Sequence, residues 1–201
     1  MAHFNLFLSM LGFLWVAAIT PGPNNMLLTA SAANFGFLRS MPLMVGIMIG
    51  MQSVLLLVAL GLGSLILLYP SLHLALKMLG SAYLLWLAFK IASARYEELD
   101  TQTAPPRPMP FYQGGLLQFL NPKAWLMALG AVAGFSLSGS EYVGSVIAIS
   151  IATFSVNLVA GIVWLGFGTM IGKMLRGRRS WRIFNLFMGL LTAACVLMIW
   201  H

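Results

Sequence analysis

The sequence predicts an all-α polytopic membrane protein with six transmembrane helices. Three observations predict it: 60% of the 201 residues are hydrophobic and only 7% are charged, the mean hydropathy is +0.92, and the apolar residues fall into six long runs. A typical soluble domain carries roughly 25% charged residues. With 14 Met, 13 Phe and 6 Trp spread along the chain, the apolar material is not one anchor on a soluble body. Residues 1–201 therefore read as a single transmembrane domain.

A window of about 19 residues gives runs at Phe4–Ala33, Leu43–Leu68, Leu72–Ala92, Gly114–Phe135, Tyr142–Ile171 and Ile183–Trp200. Each is long enough to cross about 30 Å of hydrocarbon as a helix. None is a short segment alternating with period two, which excludes a β-barrel.

The first run resembles the apolar region of a signal peptide. It lacks a basic leader, however, and continues into further apolar sequence, so a retained span is expected. It is interrupted by Thr20-Pro21-Gly22-Pro23-Asn24-Asn25. Each proline removes a backbone donor and disfavours helix at the residue before it, and Gly22 adds freedom. The helix should unwind there. Thirty residues would make a continuous helix of about 45 Å, more than one straight crossing requires. Unwinding frees carbonyls and exposes a helix N-terminus at Asn24 and Asn25, whose amides suit a carboxylate. A kink with self-capping polar side chains is the plainer reading of the same residues.

The second run carries Gly46 and Gly50, with Gln52 and Ser53 beyond. Gly130 and Gly134 in the fourth and Gly168 and Gly172 in the fifth repeat that spacing, which favours close helix approach. After the third run, Ser93–Tyr112 (SARYEELDTQTAPPRPMPFY) holds three of the four acids and four prolines. It reads as a linker, residues 93–112, between a half at 1–92 and a half at 113–201. Three spans is an odd number, so the second half enters the membrane in the opposite sense, as in a 3+3 inverted repeat.

The fourth run contains a second break, Asn121-Pro122-Lys123. Lys123 lies about nine residues, or roughly 13 Å, inside that span, and Asn24 comes to a similar depth in the first. The two breaks could therefore face one cavity. Otherwise the Lys123 ammonium snorkels to the interface. Gln118, Ser155 and Asn157 are further intramembrane polar residues. Interhelical hydrogen bonds are their default explanation, and Asn157 is the next candidate for the cavity wall.

Basic residues set the orientation. Arg39, Lys90, Arg95, Arg107, Lys173, Arg176, Arg178, Arg179 and Arg182 fall in loops on one side, against Lys77 on the other. The positive-inside rule then puts both termini outside. The net charge of +7 is thus a matter of topology and of anionic headgroups at the cytoplasmic face, not of nucleic acid. A homo-oligomer is left open. Cys195 is the only cysteine, reads as core, and forms no disulfide. His3, His73 and His201 do not cluster, so no metal or other cofactor is expected. No Asp or Glu lies deep in a span. A carboxylate proton relay is therefore not expected, and any proton exchange would fall to Lys123, a substrate amine or a water chain.

The motifs "TPGPNN", "GFLRSMPLMVGIMIG" and "NPK", together with six spans and a polar linker after the third, resemble the LysE/RhtB amino-acid exporter family over nearly the whole chain. The resemblance implies secondary active export of small amino acids or their derivatives from the bacterial cytoplasm, across the inner membrane, energised by its gradient, as in an antiporter. The doubled asparagine is similar to the branch exporting cysteine and O-acetylserine; relatives that export threonine, homoserine, lysine or leucine share the skeleton. Some members carry intramembrane acids that this chain lacks. A zwitterion would set its carboxylate at the amides of Pro23 to Asn25 and at Lys123. Its ammonium would meet carbonyls at Thr20 to Gly22, Asn121 or Asn157. An enzyme would need a nucleophile, metal ligands or paired acids within the bilayer, and none is seen. A structural or scaffolding membrane protein is the remaining alternative.

Overall fold

A computed structural model describes residues 2–62, 68–94, 108–175 and 177–200. Its described residues form helices and no strands: α1 (Ala2–Ile19), α2 (Pro23–Phe35), α3 (Phe37–Ala59), α4 (Pro70–Ala92), α5 (Phe111–Leu120), α6 (Pro122–Phe135), α7 (Tyr142–Met174), α8 (Arg178–Ala194) and α9 (Leu197–Trp200). A 3₁₀ turn, Gly139–Glu141, leads into α7. Three segments are long and apolar enough to cross a membrane: Phe37–Ala59, Leu74–Ala92 and Gly139–Met174. Phe4–Ile19 and Pro23–Phe35 pass together as a pair bent by 53°. The remaining long helices, α5, α6 and α8, have 10, 14 and 17 residues.

Both proline motifs break their helices, and in the same way. α1 ends at Ile19, Gly22 is extended at φ −174°, and Pro23 opens α2. α5 ends at Leu120, Asn121 is extended at φ −97°, and Pro122 opens α6. Proline suits the first position of a helix because its missing N–H has no partner there, and its fixed φ is already helical.

Several sequence boundaries are corrected. The second span begins at Phe37 rather than Leu43, because a single residue, Gly36 at φ 85°, turns α2 into α3. Its positive φ suits glycine, which has no Cβ to clash. Pro42 sits within that helix, and Arg39 lies in its first turn rather than in a loop. The helix expected over Ile183–Trp200 starts at Arg178, breaks after Ala194, and is not among the segments long and apolar enough to cross a membrane. The linker's central part, 95–107, lies outside the described residues, as do His201 and the side chains of His3 and His73.

Small residues decide which helices meet. A Cβ on Gly46 would lie 1.8 Å from the Phe111 carbonyl oxygen, and one on Gly50 2.6 Å from that of Gly115. α3 and α5 thus pack backbone to backbone. Gly168 and Gly172 do the same for α7 against α2, 2.4 Å from Thr29 O and 2.5 Å from Ala33 O. The third pair behaves differently, since Gly130 faces the Phe13 ring and Gly134 has nothing within 4 Å. Two apolar cores lie beside these seams, one holding Leu28, Leu43, Leu84, Leu117 and Leu165 and the other Leu14, Val54, Ala128, Ala131 and Ile149. Cys195 belongs to the first, as its apolar context implied.

One end of the bundle gathers most of the described basic residues, Lys77 and Lys123 excepted. Asn34 and Asn185 exchange hydrogen bonds at 2.8 and 3.2 Å, and Asn185 donates to Ala94 O at 3.1 Å. These contacts, with that of Gly172 on Ala33, join the ends of α2, α4 and α7 to the start of α8. Arg39, Lys90, Lys173, Arg178, Arg179 and Arg182 therefore share that end.

Candidate functional site

The two breaks meet. Lys123 Nζ donates to Thr20 O at 2.7 Å, and its side chain lies over Gly22, where a Cβ would sit 3.1 Å from the nitrogen. Asn24 and Gln118 exchange amide hydrogen bonds at 3.0 and 2.9 Å, and Asn121 Nδ2 adds a longer one to Asn24 Oδ1 at 3.4 Å. Asn121 also caps α6, its Oδ1 accepting from Lys123 N at 3.1 Å. Asn24, Gln118 and Asn121 thus form one side-chain network drawn from two distant stretches, which Lys123 joins through its main-chain N–H, and Gln118 and Asn121 are fully buried.

A cavity of about 40 Å³ opens beside this network, lined by Gly22, Pro23, Asn24, Asn25, Asn121, Lys123 and Asn157 among others. It brings together seven of the residues singled out from the sequence. Thr20 and Pro21 are exposed, and neither they nor Pro122 lines it. The rest of the wall is apolar, including Met44, Met48 and Met51 of α3 and Met127 of α6. This volume admits a few water molecules. An amino acid requires the wall to open, and unbranched methionine side chains adapt readily.

Two details depart from the sequence reading. The carbonyl at Thr20 is not available to a ligand ammonium, because it accepts from both Lys123 and Asn25, the latter at 2.9 Å. Asn25 also donates to Ala18 O at 2.9 Å, so this side chain closes the carbonyl end of α1. Nor do all the polar residues bond between helices. Ser53, Ser155 and Asn157 donate within their own helices, to Ile49 O, Ile151 O and Thr153 O.

Several groups nevertheless keep binding capacity. The amides at Asn24 and Asn25 open α2, ahead of its first internal hydrogen bond from Met26 N to Gly22 O, and so have no intrahelical acceptor. An ammonium has three donors, and Lys123 directs one to Thr20. Asn157 uses its N–H on Thr153 O at 2.8 Å, which leaves its amide oxygen as an acceptor on the cavity wall. Sequence reasoning passed over Gln118 as a partner of Asn24, and it passed over the methionines. Their signal was present, since Met44, Met48 and Met51 recur at the spacing of one helix face.

A family model described as "LysE type translocator" matches residues 15–199. Proteins named cysteine/O-acetylserine efflux protein from Salmonella typhimurium and Escherichia coli are 31% identical over 186 residues, covering 92% of this chain and 93% of theirs. No solved structure matches. The bent, paired helices, the apolar spans and a match over nearly the full length agree, and the chain belongs to the LysE type translocator family of multi-pass membrane transport proteins.

Proposed function

We propose that the protein exports small neutral amino acids or their derivatives, of the cysteine and O-acetylserine kind, by alternating access through the cavity between its two broken helices. The observation that carries this reading is that an outward-pointing helix start at Asn24 and Asn25 and the Lys123 ammonium border the same space. Both favour a carboxylate. The ammonium of the substrate is assigned to the Asn157 oxygen, and its side chain to the methionine wall. The same skeleton would serve threonine, homoserine or leucine with a different fit to that wall.

The six-span, 3+3 inverted arrangement is part of this proposal. Its support is the pairing of contacts between halves: α3 packs on the broken span α5–α6 of the second half, and α7 on the broken span α1–α2 of the first. Rocking one half against the other would expose the cavity alternately to each side. The clustered basic residues would mark the cytoplasmic end, with both termini outside.

Overexpression in bacteria, with cysteine, O-acetylserine, threonine, homoserine and leucine measured in the medium, tests the function. Excess of one or more is expected. With the protein verified in the membrane, no excess of any of them would favour a structural role instead.

Asn24 should show a mixed effect. Asn24→Ala removes a cavity amide and also leaves the buried Gln118 amide without its reciprocal partner, so both efflux and thermal stability should fall. Asn24→Ala and Gln118→Ala should combine less than additively in melting temperature, with a coupling of about 0.5–3 kcal/mol. Additive losses would show that the pair is not energetically connected.

A further inference from the structure

Resting on the exporter reading, we propose that the seam between α3 and α7 is the exit route from the cavity, with the Thr153 hydroxyl as the substrate's first polar contact along it. Ser150, Thr153 and Asn157 lie on one face of α7, three and four residues apart. At one end of this stripe, Asn157 lines the cavity together with Met44, Met48 and Met51 of α3. At the other, Ser150 Oγ donates to Gln52 Oε1 at 2.6 Å, and Gln52 Nε2 donates to Ser150 O at 3.2 Å. About two turns further along each helix, the Tyr142 hydroxyl donates to Ala59 O at 2.6 Å. That is the end of the bundle opposite the basic residues.

Thr153 is the anomaly in this stripe. The other threonines within described helices, Thr29, Thr169 and Thr192, each bond the carbonyl four residues back at 2.8 Å, the usual way such hydroxyls are satisfied inside a membrane. Thr153 is fully buried, yet its hydroxyl has no hydrogen-bond partner among the described residues. Buried polar groups without a partner are rare and costly, and they call for a physical role. Its position supplies one. A zwitterion leaving the Asn157 oxygen toward the Gln52–Ser150 pair passes Thr153 one helical turn later, and its hydroxyl can donate or accept. The Gln52–Ser150 pair closes the route in this structure.

Cysteine accessibility tests the route without knowledge of the substrate. In a Cys195→Ser background, Thr153→Cys and Thr192→Cys are treated with a membrane-impermeant methanethiosulfonate, added to intact cells or to inverted vesicles. Thr192 is equally buried, but its hydroxyl is satisfied by Met188 O within its own helix. Thr153→Cys is expected to react several-fold faster than Thr192→Cys, and only from the side of the Ala59 and Tyr142 end. Thr153→Val should slow efflux of whichever amino acid the export assay identifies, and Thr153→Ser should restore it. Equal protection of both cysteines from both sides would overturn the route. Should the protein export no amino acid, the exporter reading fails while labelling still decides whether the seam opens to water. Should Thr153→Cys stay protected and Thr153→Val export normally, the cavity reading stands and the exit lies elsewhere.

Discussion

Lys123→Ala is expected to abolish export while the protein still folds and reaches the membrane. The side chain has two separable roles, and the geometry ranks them. Its hydrogen bond to Thr20 O helps close the carbonyl end of α1, but Asn25 donates to that same oxygen at 2.9 Å. The carbonyl therefore stays satisfied, and the stability cost should be about 1 kcal/mol or less. The second role has no such substitute. Among the described residues lining the cavity, Lys123 alone carries a charge. Lys123 is itself half-buried, so losing its pairing with a bound carboxylate should cost toward the lower end of the about 2–5 kcal/mol of buried charge pairs, on the order of thirtyfold in apparent affinity. Efflux, measured beside the melting temperature of the detergent-purified variant, separates the roles. Normal efflux with a lowered melting temperature would reduce Lys123 to a helix cap.

Gly46→Ala should have the largest effect on assembly. The new methyl would lie 1.8 Å from the Phe111 carbonyl oxygen and 2.6 Å from its carbon. Those are backbone atoms and cannot rotate away, so α3 and α5 would have to part. Overpacking of this kind costs about 1–3 kcal/mol and occasionally more, and here it also separates helices whose other contacts depend on close approach. The yield of monodisperse protein in mild detergent should collapse. Gly134→Ala is the control: nothing lies within 4 Å of the added atom, and alanine is the better helix former by about 1 kcal/mol. Equal yields for the two variants would show that the α3–α5 contact does not limit folding.

The local consequences of proline were legible in the sequence. Two prolines flanking Gly22, and a third after Asn121, dictate where backbone hydrogen bonding stops, and both helices break at those motifs. The glycine pairs were legible only as a tendency. Spacing puts Gly46 beside Gly50, and Gly130 beside Gly134, on one helix face in each case. Whether a partner backbone comes within contact depends on a helix far away in the chain, and it does so for Gly46 and Gly50, as for Gly168 and Gly172, but not for Gly130 and Gly134. Boundaries slipped where tertiary context overrides hydropathy: Arg39 looked like a loop residue, yet Gly36 turns the chain so sharply that α3 is already under way.

The sequence by itself determined the class of protein, its all-helical build, its two breaks and the gathering of positive charge at one end. Each follows from burial, backbone chemistry or charge counted along a single segment. Only the tertiary structure decided what the breaks do to one another. Asn24 and Gln118 are 94 residues apart and share two hydrogen bonds, and Lys123 reaches Thr20 across 103 residues. Such pairings depend on the relative depth and rotation of two helices, which helix–helix packing sets and no local pattern encodes. The same packing consumed the Thr20 and Ala18 carbonyls at the end of α1, left the Thr153 hydroxyl without a partner among the described residues, and shaped the cavity on which the proposed function rests.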